Sequence, residues 1–200
     1  MKFIKLAFTP LAAPLVAAFM LGTLALAGCS PQESADKPAA AARPAQPYQA
    51  VASQGKGFTV GAMMSANTVY VLFDPQCPHC GHLWEASVPL QNKVKFVWIP
   101  VSIMNAKSAP QGAALLSAAS PAELMAEHEK SILAGTGGIS ASASVSSDVE
   151  LAIKKNTELF NSLGVDSVPY MLAKHVRSGQ VVTNSGAMAT PALAAFLGVD

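Results

Sequence analysis

Two cysteines, Cys77 and Cys80, enclose Pro78 and His79 in the run FDPQCPHCGHLW. The pair follows TVYVLFD (Thr68 to Asp74), a β-branched, aromatic and continuously apolar stretch of the kind that forms a buried central strand. Pro78 suits the first position of a helix, and HCGHLWEASVPLQ continues a helical pattern despite Gly81. Cys77 is therefore expected at a helix tip, where unpaired N–H groups and the positive end of the helix dipole favour thiolate over thiol. Such a setting brings a thiol from about 8.5 into the range ~3.5–7.5, and three units are worth roughly 4 kcal/mol. His79 can add a donor or a positive charge beside the sulfur, while Pro78 removes one N–H and fixes the backbone. Geometry then divides the labour. Cys77 is expected to be exposed and to attack; Cys80, one turn further in, is expected to be shielded and to resolve.

Other uses of a Cys-X-X-Cys pair fit less well. Zinc needs four ligands, no second such pair exists, and His79, His82, His128 and His175 are not spaced as a finger. Covalent haem attachment needs histidine directly after the second cysteine, where Gly81 stands. A structural staple of this spacing closes almost no loop and so stabilises little. A redox centre ranks first, metal second, staple third. The reading calls for no cofactor and no metal.

Around the pair, the elements follow in a recognisable order. GFTVGAM, from Gly57, is a short strand; KVKFVWIPVSIM is another; helical stretches fall near Gln111 to Ala119, Pro121 to Leu133 and Asp148 to Leu163. GTGGISASASVSS is a low-complexity loop between the last two. PYMLAKH and VVTNSG flank the turn RSGQ as a hairpin, and TPALAAFLG closes the chain as a helix with Thr190 as its cap. Strand, helix, strand, helical insert (about 104–165), hairpin and helix make an α/β thioredoxin-like fold with a helical insertion. That fold places a cis-proline opposite the dithiol at the start of the hairpin. Here it would be Pro169, with Val168 and Pro169 presenting backbone to a substrate peptide.

The N-terminal part has a different character. MKFIK is a basic start, an apolar run follows, and small residues close it before Cys29. Leu26-Ala27-Gly28-Cys29 resembles a bacterial lipobox, which implies a leader over 1–28 and lipid on Cys29; Ser30 rather than aspartate favours the outer membrane. Residues 29–56, rich in Pro, Ala and polar residues, read as a flexible tether, leaving 57–200 as the domain. Lipid accounts for the third cysteine, and export places the remaining pair where a dithiol can turn over. A net charge of +1, with charged residues at 12%, carries no electrostatic footprint for nucleic acid.

From about Thr68 to the C-terminus, four runs resemble the catalytic domain of the periplasmic thiol:disulfide isomerases and reductases DsbG and DsbC. They are TVYVLFDPQCPHCGHLW, KFVWIPVSIM, SAPQGAALLSAASPAE and NTELFNSLGVDSVPYML. The resemblance implies a redox-active Cys77–Cys80 disulfide, with Cys77 attacking, Cys80 resolving and Pro169 as the cis-proline. It also implies exported cysteine-containing proteins as substrates and a membrane redox partner. Two features depart from that family. The tether leaves no room for its dimerisation domain, so a monomer is expected. The CPHC motif and Val168 resemble instead the oxidase DsbA, which leaves the direction of electron flow open. The buried acid that thioredoxin and DsbA carry ahead of the first cysteine is replaced by Val71. A thioredoxin-like copper-handling protein, passing copper(I) through the same cysteines, is the alternative reading. Trp84 and Leu83 are expected in the core, and His82 at the surface. Glu85 is expected as a solvated charge rather than a proton carrier for Cys80, and Met63 and Met64 are expected to pack.

Overall fold

The structure, a computed structural model, describes residues 43–141 and 145–199. The expected leader, the lipidation site Cys29 and the first part of the tether lie outside the described residues.

Strand β1 (Phe58–Gly61) opens a five-stranded sheet whose central strand is β2 (Thr68–Phe73). β2 pairs in parallel with β3 (Lys95–Pro100) and antiparallel with β4 (Tyr170–Lys174); β1 lies outside β3, and β5 (Val181–Ser185) outside β4. In this register Val71 stands between Trp98 on one neighbour and Met171 on the other. Alternation along the strands splits the core in two. Val69, Val71, Phe73, Phe96, Trp98, Met171 and Ala173 join the cluster that contains the dithiol, while Leu72, Ile99, Tyr170 and Leu172 join the opposite one. Each large apolar side chain fully buried this way contributes about 1.5–3 kcal/mol, so the two apolar layers outweigh any surface polar pair.

The first cluster is covered by α2 (Pro78–Ser87), α4 (Pro121–Leu133) and α6 (Thr190–Leu197), the second by α1 (Pro47–Gln54) and α5 (Ser147–Ser162). α3 (Ser108–Ser117) runs between β3 and α4 in the chain and completes the helical insertion with α4 and α5. The fold is α/β and thioredoxin-like, as the order of elements predicts.

Three local expectations are corrected. Helix α1 lies inside the stretch expected as flexible tether. Tyr48 and Val51, three apart, fall on one helical face; Val51 is fully buried, and the Tyr48 ring meets Tyr70 edge-on at 5.2 Å. Thr190 is the first residue of α6 rather than its cap, and its hydroxyl donates instead to Ala86 O at 2.9 Å, tying α6 to α2. Met63 and Met64 do not pack: they occupy a turn beyond the end of β1, with Met64 98% exposed.

Buried Asn156 fastens α5 to the sheet. Its Oδ1 accepts from Lys56 N at 2.9 Å, and its Nδ2 donates to Lys56 O at 2.7 Å and Pro100 O at 3.0 Å. Truncation leaves three backbone groups without their partner. Asn156→Ala is expected to lower stability by about 2–4 kcal/mol in urea unfolding; a loss below about 1 kcal/mol would mean that these groups rehydrate freely.

Candidate active site

The site begins with the turn that carries the chain out of β2. Asp74 is fully buried, and its carboxylate accepts four hydrogen bonds. Oδ1 receives Gln76 N at 2.9 Å and Ser108 Oγ at 2.7 Å; Oδ2 receives Ile103 N at 2.7 Å and Met104 N at 3.0 Å. One side chain thus joins the turn before Cys77, the segment after β3 and the start of α3. Asp74 O then accepts from Cys77 N at 3.0 Å, setting Cys77 as the N-cap of α2 with Pro78 directly behind it.

At this tip the backbone of Cys77 is extended (φ −95°, ψ 111°), and its carbonyl accepts from Cys80 N at 2.9 Å. Both cysteines are free thiols in this structure, the reduced form of the pair. Cys77 is not exposed as expected: only 4% of it is accessible, because the segment before β4 lies over it, with Val168 O 3.6 Å from its sulfur. Cys80 is sealed completely. The Val168–Pro169 peptide bond is cis.

These surroundings push the two thiols apart. The Cys77 thiol is lowered from 9.0 to about 6, first by the hydrogen bond from the Cys80 thiol, then by the N–H groups of Cys80 and His79 and the His79 charge, with burial opposing. His79 itself is exposed on α2, and its backbone acts ahead of its ring. Cys80 is pushed well above the usual thiol range by burial, then by Cys77 and by Glu129. One thiol is poised to ionise and the other is held protonated, and the asymmetry follows from one residue capping a helix while the other lies inside it.

The helical insertion supplies residues that sequence reasoning did not single out. His128 is fully buried on α4; its Nε2 donates to Pro75 O at 2.6 Å and its Nδ1 accepts from Ile139 N at 3.2 Å. Burial lowers its pKa, consistent with a neutral ring that uses one nitrogen as donor and the other as acceptor. Gln111 Nε2 donates to Gly137 O and Ile139 O, both at 2.9 Å, and Gln76 Nε2 donates to Gln111 Oε1 at 2.6 Å. The loop expected only as low complexity is therefore a buttress. At Gly138 (φ +85°) a Cβ would stand 2.6 Å from His128 Cε1, so glycine is what lets the loop close over that ring.

Glu129, next on α4, is 1% exposed, and neither carboxyl oxygen has a hydrogen-bond partner among the described residues. Burial pushes it up to about 9, and the charges of Cys77, Asp74 and Glu85 add to this. Glu85 is exposed on α2, Leu83 and Trp84 lie in the core, and His82 is exposed, as their places on the helix predict. The signal for His128 and Glu129 is an ionisable pair on the apolar-spaced face of α4 beside Met125 and Ile132, all four buried.

Dithiol, cis-proline and a sheet of order β1-β3-β2-β4-β5 define a thioredoxin-like protein. Among solved structures, a periplasmic thioredoxin-like protein from Salmonella enterica serovar Typhimurium superposes with a TM-score of 0.60 at 17% identity, over 76% of this chain and 93% of that one. In sequence the chain is similar to the thiol:disulfide interchange protein DsbG of Pseudomonas aeruginosa, 29% identical over 140 residues, 69% of this chain and 54% of the relative. DsbG of Escherichia coli K12 is 29% identical over 118 residues, 57% of this chain and 47% of the relative. No protein-family model matches the chain. It spans about half the length of these curated relatives, is similar to DsbG in sequence and is thioredoxin-like in fold.

Two outcomes are expected of the thiols. Thiolate absorbance of the reduced chain should appear with a midpoint near pH 6, disappear in Cys77→Ser, and move upward in Cys80→Ala, which removes the largest stabilising contact. An unmoved midpoint in Cys80→Ala would assign the effect to the helix tip alone. Between about 6 and 9, Cys77 is ionised in the folded protein and neutral in the unfolded one. The unfolded state then binds more protons, so this group adds stability as pH rises, by up to about 4 kcal/mol across the window. Urea unfolding at several pH values should show the wild type gaining on Cys77→Ser by that order.

Proposed function

We propose that the chain is a thiol:disulfide oxidoreductase of the bacterial periplasm, held to a membrane by lipid on Cys29 and exchanging disulfides with exported proteins through Cys77 and Cys80. The observation that carries this reading is the lowered Cys77 thiol at the tip of α2, beneath the cis-proline segment, with Cys80 sealed behind it. The likeness to DsbG and to a periplasmic thioredoxin-like protein supports the same class and compartment.

In the reducing direction, the Cys77 thiolate attacks a substrate disulfide, forming a mixed disulfide and releasing one substrate sulfur as thiolate. Cys80 then attacks the Cys77 sulfur and releases the second substrate sulfur. The substrate gains two electrons and the pair becomes a disulfide. Run backwards, the same steps donate a disulfide. Val168, whose carbonyl lies against Cys77, and the cis-bonded Pro169 would align the substrate backbone, and Pro78 and His79 would set the thiolate. A membrane electron carrier would reset the pair, and a monomer suffices for this exchange.

The thiolate favours the reduced pair, and about 30 mV accompanies each ~1.4 kcal/mol. A Cys77 thiol lowered to about 6 is therefore expected to make the pair more oxidising than thioredoxin, between about −270 and −120 mV. Equilibration of the full chain with glutathione buffers should return a midpoint in that interval, and Cys80→Ala should trap exported proteins as mixed disulfides on Cys77. Failure to trap any protein with an intact Cys77 thiolate would sink the reading. A midpoint below thioredoxin's would make the chain a reductase that depends on its electron donor.

A further inference from the structure

Cys80 raises a proton problem that its surroundings answer in an unusual place. It is fully buried, so a Cys80 sulfur leaving a disulfide as thiolate has no direct access to solvent protons. The strand position that would carry a buried acid in thioredoxin holds Val71, which is itself buried and apolar. Glu85, on the same helix, points to solvent.

Helix α4 brings an acid from the other side. Gly81 follows Cys80 directly, and a Cβ there would meet Glu129 Oε2 at 2.9 Å and Leu133 Cγ at 3.0 Å. The absence of a side chain at Gly81 thus lets the carboxyl of Glu129 lie against the backbone of α2 next to Cys80. Glu129 is 1% exposed, and neither oxygen has a hydrogen-bond partner among the described residues. A buried polar group left unpaired is unfavourable by about 1–3 kcal/mol, which structural packing alone would not select. The ionisable groups that bear on it are Cys80, Cys77 and Glu85 from α2 and its tip, and Asp74 from the preceding turn. His128 precedes it on α4 but is committed to Pro75 and Ile139, and α3 and β1, which also pack on α4, carry no ionisable side chain. Every negative neighbour favours the neutral carboxylic acid, the form able to donate.

We propose that Glu129 is the proton carrier of Cys80: its carboxylic acid protonates the Cys80 sulfur as the Cys77–Cys80 bond breaks, and its carboxylate takes that proton back as Cys80 attacks a mixed disulfide on Cys77. In the first direction an external thiolate bonds to the Cys77 sulfur, Cys80 leaves with the electron pair of the broken S–S bond, and the proton passes from carboxyl to sulfur. In the second, the mixed disulfide has removed the Cys77 charge and the carboxyl has given its proton to solvent; the Cys80 S–H bond then breaks with its proton passing to the carboxylate, the new S–S bond forms, and the external sulfur leaves as thiolate. No other oxidant is required. The inference rests on the dithiol exchange proposed above.

Single turnovers of the reduced full chain with oxidised glutathione, quenched in acid and read by mass spectrometry, separate the two steps. Formation of glutathionylated Cys77 uses only the Cys77 thiolate and should stay within a few-fold of wild type in Glu129→Gln. Its resolution by Cys80 should slow by about 10²-fold near neutral pH, so that the mixed disulfide accumulates. Resolution in Glu129→Gln at the wild-type rate with the wild-type pH profile would overturn the proposal. If Glu129→Gln does not fold, Glu129→Asp decides on the same terms, because one methylene fewer withdraws the carboxyl from Cys80. A wild-type chain that forms no mixed disulfide on Cys77 would instead overturn the exchange reading itself.

Discussion

Four hydrogen bonds onto the buried carboxylate of Asp74 hold together pieces of chain that are far apart in sequence: the turn into α2, the segment after β3 and the first residue of α3. Everything distinctive about Cys77 depends on that knot. A helix tip stabilises a thiolate only if the sulfur lies at the N–H groups, and the turn before Pro78 decides where the sulfur lies. A surface carboxylate could not do this, because water would compete for each donor; sealed inside, each bond is both stronger and obligatory.

A second set of contacts surrounds the first. Pro75 is gripped by His128, Gln76 by Gln111, and the glycine-bearing loop closes over both. The helical insertion is thus no ornament on a thioredoxin-like sheet. Consecutive residues of α4 reach opposite sides of the dithiol segment, His128 holding its backbone and Glu129 lying beside Gly81. Cys77 is charged at neutral pH while Glu129 and His128 are neutral, and this distribution follows from burial and proximity. The Asp74 carboxylate is tolerable because four hydrogen bonds satisfy it; a charge on Glu129, whose oxygens have no such partners among the described residues, would not be.

Much of this was legible in the chain. The spacing of Cys77 and Cys80 after an apolar run fixed strand, turn and helix, and the order of elements pointed to the sheet. What escaped were features carried by few residues or by tertiary contact. Helix α1 makes its apolar contacts through Tyr48, Ala50 and Val51, within a Pro- and Ala-rich stretch, and its stability comes from the face it covers rather than from its own propensity. Thr190 caps nothing because Ala86 O offers its hydroxyl a better partner. Cys77 is covered rather than exposed because a segment ninety-one residues away folds over it. The burial of Glu129 depends on which face of α4 turns inward, which its residue type does not signal.

The aromatic residues around the pair carry one more consequence. Trp84 lies one turn beyond Cys80 on α2, and its ring meets Trp98 edge-on at 5.3 Å; Trp98 in turn meets Phe73 at 5.5 Å. These are the two tryptophans of the sequence, and both share a buried cluster with Cys77 and Cys80. Disulfides quench indole emission at short range and thiols do so less, so the molecule contains its own optical gauge. Its ultraviolet fluorescence is expected to respond to the oxidation state of the pair, without a dye and without an added label.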